Sequence, residues 1–166
     1  SMVLPLTSMS FNKRPPSREE AVIKARTYCN YRERCHKELR EKLYSLGLWK
    51  QDVDHVIMQM MDENLLNEER YVKSYARGHF YIKKWGKYKI KVELRSRQIH
   101  DSLILIGMKE IEDDDYIEMI EKLIRKKAKE VTGTKYEQQQ KVSRYLVGKG
   151  YSFSEFDQML KELMVK

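Results

Sequence analysis

Apolar residues in this chain recur in a pattern that repeats about every 50 residues. Leu43, Leu94 and Leu146 share one register. Leu48, Ile99 and Tyr151 follow, then Val53, Ile104 and Phe156, then Met60, Ile111 and Leu163. Charged and polar residues fill the intervening positions, and the spacing within each block suits two amphipathic helices joined by a tight turn. Gly47 and Gly150 fall at that turn, where a left-handed residue can end the first helix, and Gln98 takes the place in the middle block.

A further helical segment precedes each pair: from 17 to about 31, from 67 to about 84, and from 113 to about 130. Ser17 with Glu20, Thr134 with Glu137 and Ser152 with Glu155 have the spacing of a capping box, and Asn67 and Asp113 are good single caps. The last of these segments opens on Asp113, Asp114 and Asp115 and closes on Arg125, Lys126, Lys127 and Lys129, a polarity that suits the helix dipole. Tyr116, Ile117, Ile120, Leu123 and Ile124 make its apolar face. The expected fold is all-α: three tandem three-helix repeats, 17–64, 65–111 and 112–166, stacked into an elongated curved array. Residues 1–16 are expected to be a disordered N-terminal tail that ends at Pro15 and Pro16. A unit of about 50 residues buries too little apolar surface to stand alone, so the repeats are expected to stack, and a monomer is the default for a capped stack.

Composition agrees with this pattern. Seven glycines and three prolines in 166 residues favour helix over sheet. No apolar run approaches the roughly 20 residues of a membrane-spanning helix, and the opening SMVLPLTSMSFNKRPPS lacks the apolar centre of a secretion signal. Two cysteines, Cys29 and Cys35, are too few for a disulfide framework, which points to a reducing cytoplasm and buried thiols. Cys35 and His36 are adjacent and have no second ligand pair, while His55, His79 and His100 are scattered, so neither a metal nor another cofactor is expected.

Charge changes the picture more. The net +8 is not spread evenly: residues 1–64 carry +2, residues 65–100 carry +7, and residues 101–166 carry −1. A concentrated excess makes a local field that attracts polyanions. Its densest part, KKWGKYKIKVELRSR at 83–97, holds seven Lys or Arg and one Glu. Gly86 is expected to break the long helix before it, with a new helix beginning near Tyr88. Ile90, Leu94 and Val92 would then face inward while Lys87, Lys91 and Arg95 project outward. Two readings stand side by side: a solvated cationic face with snorkelling lysine stems, or a partner surface. Trp85 and Tyr88 fit either core packing or stacking on a partner.

Other classes have less support. The segment KELREKLYSLGLWKQDVDHVIMQM has helix-turn-helix spacing, and a duplex-reading protein is the main alternative. Its second helix, however, sets Asp52, Asp54, Asp62 and Glu63 against Lys50 alone. The nucleotide-loop, nucleophile-elbow and zinc-protease motifs are all missing, so an enzyme is not expected. Met58, Met60 and Met61 could line an adaptable groove, but helical spacing favours core.

The residues LLNEERYVKSYARGHFYIKKWGKYKIKVELRSRQI at 65–99 resemble the central signature of the RecX regulators of the bacterial recombinase RecA. The resemblance rests on Leu66, Asn67, Glu68, Tyr71, Tyr75, Arg77, Lys84, Gly86, Ile90, Glu93, Leu94 and Ile99. YRERCHKELREKLYSLGL is similar to that family's first block through Arg32, Arg34, Glu38, Leu39, Lys42 and Leu43. KVSRYLVGKGYSFSEF is similar to its closing block through Leu146, Lys149, Gly150 and Tyr151. Cys35, His36, Trp85 and Tyr88 depart from the pattern. The resemblance covers about residues 17–165, with the blocks in the family's order. It implies a non-enzymatic regulator that binds RecA and its single-stranded-DNA filament and modulates, mostly inhibits, the recombinase in DNA repair and the SOS response. On that footing Arg77, Lys83, Lys84, Trp85, Lys87, Tyr88, Lys91, Arg95 and Arg97 are the expected contact residues. Arg26, Arg32 and Arg34 would extend the stripe, and single-stranded DNA would be a non-specific contact.

Overall fold

The computed structural model describes residues 14–165, and every regular element among them is helical. The order is α1 (Arg18–Tyr31), α2 (His36–Ser45), α3 (Lys50–Asp62), α4 (Glu68–Arg77), α5 (Lys87–Ser96), α6 (Asp101–Met108), α7 (Asp113–Ala128), α8 (Lys135–Lys149) and α9 (Phe153–Leu163). A π-helical turn, Gly78–Ile82, continues directly from α4.

Local chemistry sets the boundaries. The capping boxes of Ser17 with Glu20, Thr134 with Glu137 and Ser152 with Glu155 all form, and the Asn67 side chain accepts from the Arg70 N–H at 2.9 Å. Cys35 heads a further start: its N–H donates to the Glu38 carboxylate at 3.1 Å. Asp113 is not the cap of α7. Glu112 occupies that position, and the Tyr81 hydroxyl accepts from its N–H while donating to Asp115 at 2.7 Å. The three turns lie in the left-handed region as expected, with φ of 92° at Gly47, 59° at Gln98 and 104° at Gly150.

The described residues fall into two compact units, one running to Tyr71 and the other starting at Val72, a division inside α4. In the first, α1, α2 and α3 pack on one another around Ala21, Ala25, Leu39, Leu43, Val53, Val56 and Met60. In the second, α5 packs on α6 and on the π-turn, and α7, α8 and α9 pack mutually. Phe80, Ile90, Leu94, Ile104, Ile120, Leu146, Tyr151 and Phe156 are buried there. The repeating apolar register is thus the core register. Of its twelve positions only Leu163 is half-buried; the rest are buried.

Several inward assignments fail. Val92 is exposed because the face of α5 that packs is defined by Ile90 and Leu94, four residues apart. Ile117, Met58 and Met61 are exposed, leaving Met60 as the only core residue of the methionine group. Of the expected tail, residues 1–13 lie outside the described residues. Arg14 pairs with Glu20 at 3.4 Å, and Pro15 lies close over Gly47.

The helix break before α5 is made differently from expectation. Lys84, with φ of 63°, turns the chain, and Gly86 has an ordinary φ of −76°. A Cβ on Gly86 would come within 2.3 Å of the Gly150 carbonyl oxygen, so the residue is small because another backbone passes against it. That neighbour is the α8–α9 turn. Gly86 N–H donates to Lys149 O at 2.9 Å, Tyr88 N–H to Gly150 O at 3.0 Å, and Lys87 N–H to the Tyr116 hydroxyl at 3.0 Å. The first amides of α5, which have no partner within their own helix, are therefore satisfied by α7 and the α8–α9 turn. The Tyr151 hydroxyl donates to Lys84 O at 2.9 Å, and the Lys149 ammonium to Lys83 O at 3.0 Å.

Candidate polyanion interface

The arginines and the lysines of the expected surface have different fates. Most of the arginines are neutralised. In the first unit Arg26 makes a two-pronged pair with Glu63, both bonds 2.8 Å, and these bonds hold the Glu63 carboxyl down at about 2. Arg32 reaches Glu38 at 3.2 Å and the Glu33 carbonyl at 3.0 Å. Arg34 is not a surface cation at all. It is 7% exposed, its guanidinium lies 3.6 Å from the centre of the Tyr28 ring, and its Nε donates to Tyr28 O at 3.0 Å. The planar guanidinium serves there as a flat core piece with one carbonyl to satisfy.

In the second unit Arg77 pairs with Glu110 at 2.6 Å and Arg95 with Asp101 at 3.2 Å. Arg97 pairs with Glu93 at 3.2 Å, one helical turn back, and packs over the Tyr75 ring at 5.1 Å. The lysines differ. Lys83, Lys84 and Lys91 have no ion-pair partner among the described residues, and Lys87 approaches only Asp113, at 4.0 Å. Lys87 spends its ammonium mainly over the Tyr116 ring, 4.5 Å from the centre. Tyr88 is exposed beside them.

Trp85 is half-buried and serves as a post. His79 stacks on Tyr75 at 3.7 Å and meets Trp85 at 4.6 Å. The His79 Nδ1–H donates to Tyr75 O at 2.8 Å, and burial, the largest effect, pushes its pKa down. Over the indole stand two ammonium groups, Lys89 at 4.4 Å and Lys83 at 5.6 Å.

Three residues outside the expected set join this cluster: Lys89, Lys126 and Lys149. Burial, and then Lys84, Lys89 and Lys126, push the Lys149 ammonium below its ordinary range. Lys89 lay within the basic stretch and Lys149 beside the repeat glycine, but nothing in the sequence brings Lys149 to Lys84. The α8–α9 turn seated on Gly86 does so, and Lys126, on α7, acts on Lys149 through its charge. No group of three or more acids, histidines or cysteines among the described residues could hold a metal ion, and Cys29 and Cys35 are free, buried thiols.

Family models describing the second and third three-helix domains of RecX match residues 67–105 and 113–160. A RecX regulatory protein of Vibrio campbellii is 32% identical over 123 residues, covering 74% of this chain and 78% of that protein. The chain belongs to the RecX family. A RecX protein of Clostridium perfringens is 29% identical over 130 residues, 76% of this chain but only 60% of the clostridial protein's length. The crystal structure of RecX from Lactobacillus salivarius superposes with a TM-score of 0.79 at 25% identity, covering 90% of this chain and 97% of that one. The Vibrio and Clostridium relatives are named as regulatory proteins, and the RecX helical repeat fold accounts for the three registers of apolar residues. Among the described residues no helix is long and apolar enough to cross a membrane.

Proposed function

We propose that this RecX-family protein binds the RecA recombinase and its single-stranded-DNA filament and lowers recombinase activity, acting as a cytoplasmic monomer in DNA repair and the SOS response. Its working units are the three repeats 17–64, 65–111 and 112–166. The contact surface is centred on Lys83, Lys84, Trp85, Lys87, Tyr88 and Lys91, with Arg77, Arg95 and Arg97 at its margin. The observation that carries the reading is the contrast among the cations: Arg77, Arg95 and Arg97 are matched by acids, while Lys83, Lys84 and Lys91 have no ion-pair partner among the described residues. Unmatched cations on one segment favour a polyanionic assembly over a merely solvated face.

The test is a pull-down against RecA with and without single-stranded DNA and nucleotide, alongside an assay of recombinase ATP hydrolysis. Binding to the assembled filament alone marks lodging on the filament, and binding to free subunits marks sequestration. Replacing Lys83, Lys84, Lys87 and Lys91 together by Glu should abolish filament binding and leave the helical circular-dichroism signal intact. Unchanged inhibition by that variant removes the lysines from the mechanism. Where phosphates are contacted, the log–log dependence of affinity on salt should steepen by about 0.7 per single-strand phosphate.

A further inference from the structure

We propose that Lys84, Lys89, Lys126 and Lys149 form a discrete binding site for a multiply charged phosphate anion, with Lys83 and Trp85 at its rim. The proposal deepens the polyanion part of the function proposed above and rests on that reading only for the biological source of the anion. Its members come from three places in the chain: the loop and first turn of α5, the last turn of α7 and the last residue of α8. The fold holds Lys84, Lys89 and Lys149 together by means that do not involve charge, and Lys126 bears on Lys149 from α7. Gly86 N–H holds Lys149 O, Tyr151 holds Lys84 O, and Lys149 reaches Lys83 O at 3.0 Å. Lys89 is placed by the indole of Trp85 below its ammonium and by Gly150, where any Cβ would meet the Lys89 Cβ at 2.3 Å.

None of the four has an acid partner among the described residues, although ion pairs are plentiful elsewhere. On α7 itself Lys122 pairs with Glu118, Arg125 with Glu121 and Lys127 with Glu130, while Lys126 pairs with nothing. The Lys149 ammonium is pushed below its ordinary range first by its burial and then by the like charges of Lys84, Lys89 and Lys126, a repulsion that no neighbouring acid offsets. An oxyanion of charge −2 or more relieves it at one point, which a single carboxylate or chloride does less well. The helix dipole of α5 takes no part, because its leading amides at Gly86, Lys87 and Tyr88 are already bonded. The ligand class is therefore a phosphate recognised by side-chain charge. Its source is either a free polyphosphate such as a nucleoside triphosphate or the backbone of a single strand.

The site can be read without any recombinase, so failure of RecA partnership and failure of the site are separable. Trp49→Phe leaves Trp85 as the sole indole, and Trp49 is exposed, so the background folds as before. Titrate this protein with sodium tripolyphosphate, with metal-free ATP and with an oligothymidylate, each against sodium chloride at matched ionic strength. Follow Trp85 emission, which reports on Lys83 and Lys89 above the ring. A saturable change is expected. Response to tripolyphosphate or ATP assigns the site to a free polyphosphate, and response to the oligonucleotide alone assigns it to a strand. Lys126→Ala combined with Lys84→Asn should weaken binding about tenfold or more. Both residues are exposed and Asn suits the left-handed φ of 63° at position 84, so the fold is kept. Lys122→Ala, the same change of charge on the same helix as Lys126, should leave binding unaltered. No response beyond chloride, equal binding by the double variant, or equal weakening by Lys122→Ala overturns the site.

Discussion

The Arg26–Glu63 pair ties α1 to the end of α3, and its chemistry gives a pH signature. The folded carboxyl sits at about 2, against an ordinary value of 4.5, so the folded state holds its charge where the unfolded chain would take a proton. Its contribution is complete above about pH 4.5 and is lost as pH falls toward 2. Acid titration followed by circular dichroism should therefore show less loss of stability over that window in Glu63→Gln than in the unaltered protein. At Gly86 and Gly150 sterics replace charge. Ala at position 86 would drive its methyl into the Gly150 carbonyl, and Ala at 150 would meet Lys89 while holding φ at 104°. Each change should destabilise the protein by upward of about 3 kcal/mol, read from urea unfolding. Ala at Gly148, which has no neighbour in reach, is the contrasting control.

Among the elements, α5 depends on others for its beginning. Tyr116 accepts from the Lys87 N–H and donates to Glu155, whose carboxylate also takes the Ser152 N–H at 2.8 Å. One buried hydroxyl therefore serves the start of α5 and the capping box of α9, and burial, its largest effect, drives its pKa far upward. Tyr116→Phe should lose about 1–3 kcal/mol, because the Lys87 amide is left without a partner. The amides of the first turn of α5 should then exchange hydrogen faster while those of α1 do not. These element-level features were unequally readable from sequence. The left-handed turns at Gly47, Gln98 and Gly150 and three capping boxes were legible because each is a local pattern of residue types. The π-turn at Gly78–Ile82 was not, since it shares its apolar spacing with the helix it extends. Nor was the burial of Arg34, which depends on Tyr28 lying beneath it, or the seating of Lys149 beside Lys83 and Gly86, which is a contact between distant segments.

For the molecule as a whole, the two compact units carry separate natural probes. Cys29 and Cys35 lie in the first, both buried and with thiols raised above their ordinary pKa chiefly by that burial. A disulfide reagent should label them roughly 10³-fold or more slowly than a free thiol in water, because labelling must wait for opening of that unit. Trp85 reports on the second unit. Gly150→Ala should shift its unfolding transition to lower urea. The seating of the α8–α9 turn on Gly86 also has a consequence for how the chain is made. The carbonyls of Lys83 and Lys84 receive their donors from residues 66 and 67 positions further along. At translation rates of about 5–20 residues per second, the basic segment therefore emerges several seconds before the residues that fix its shape. For that interval a nascent chain carries a charged strand with an unfinished helix start, and only completion of the last hairpin turns it into a defined surface.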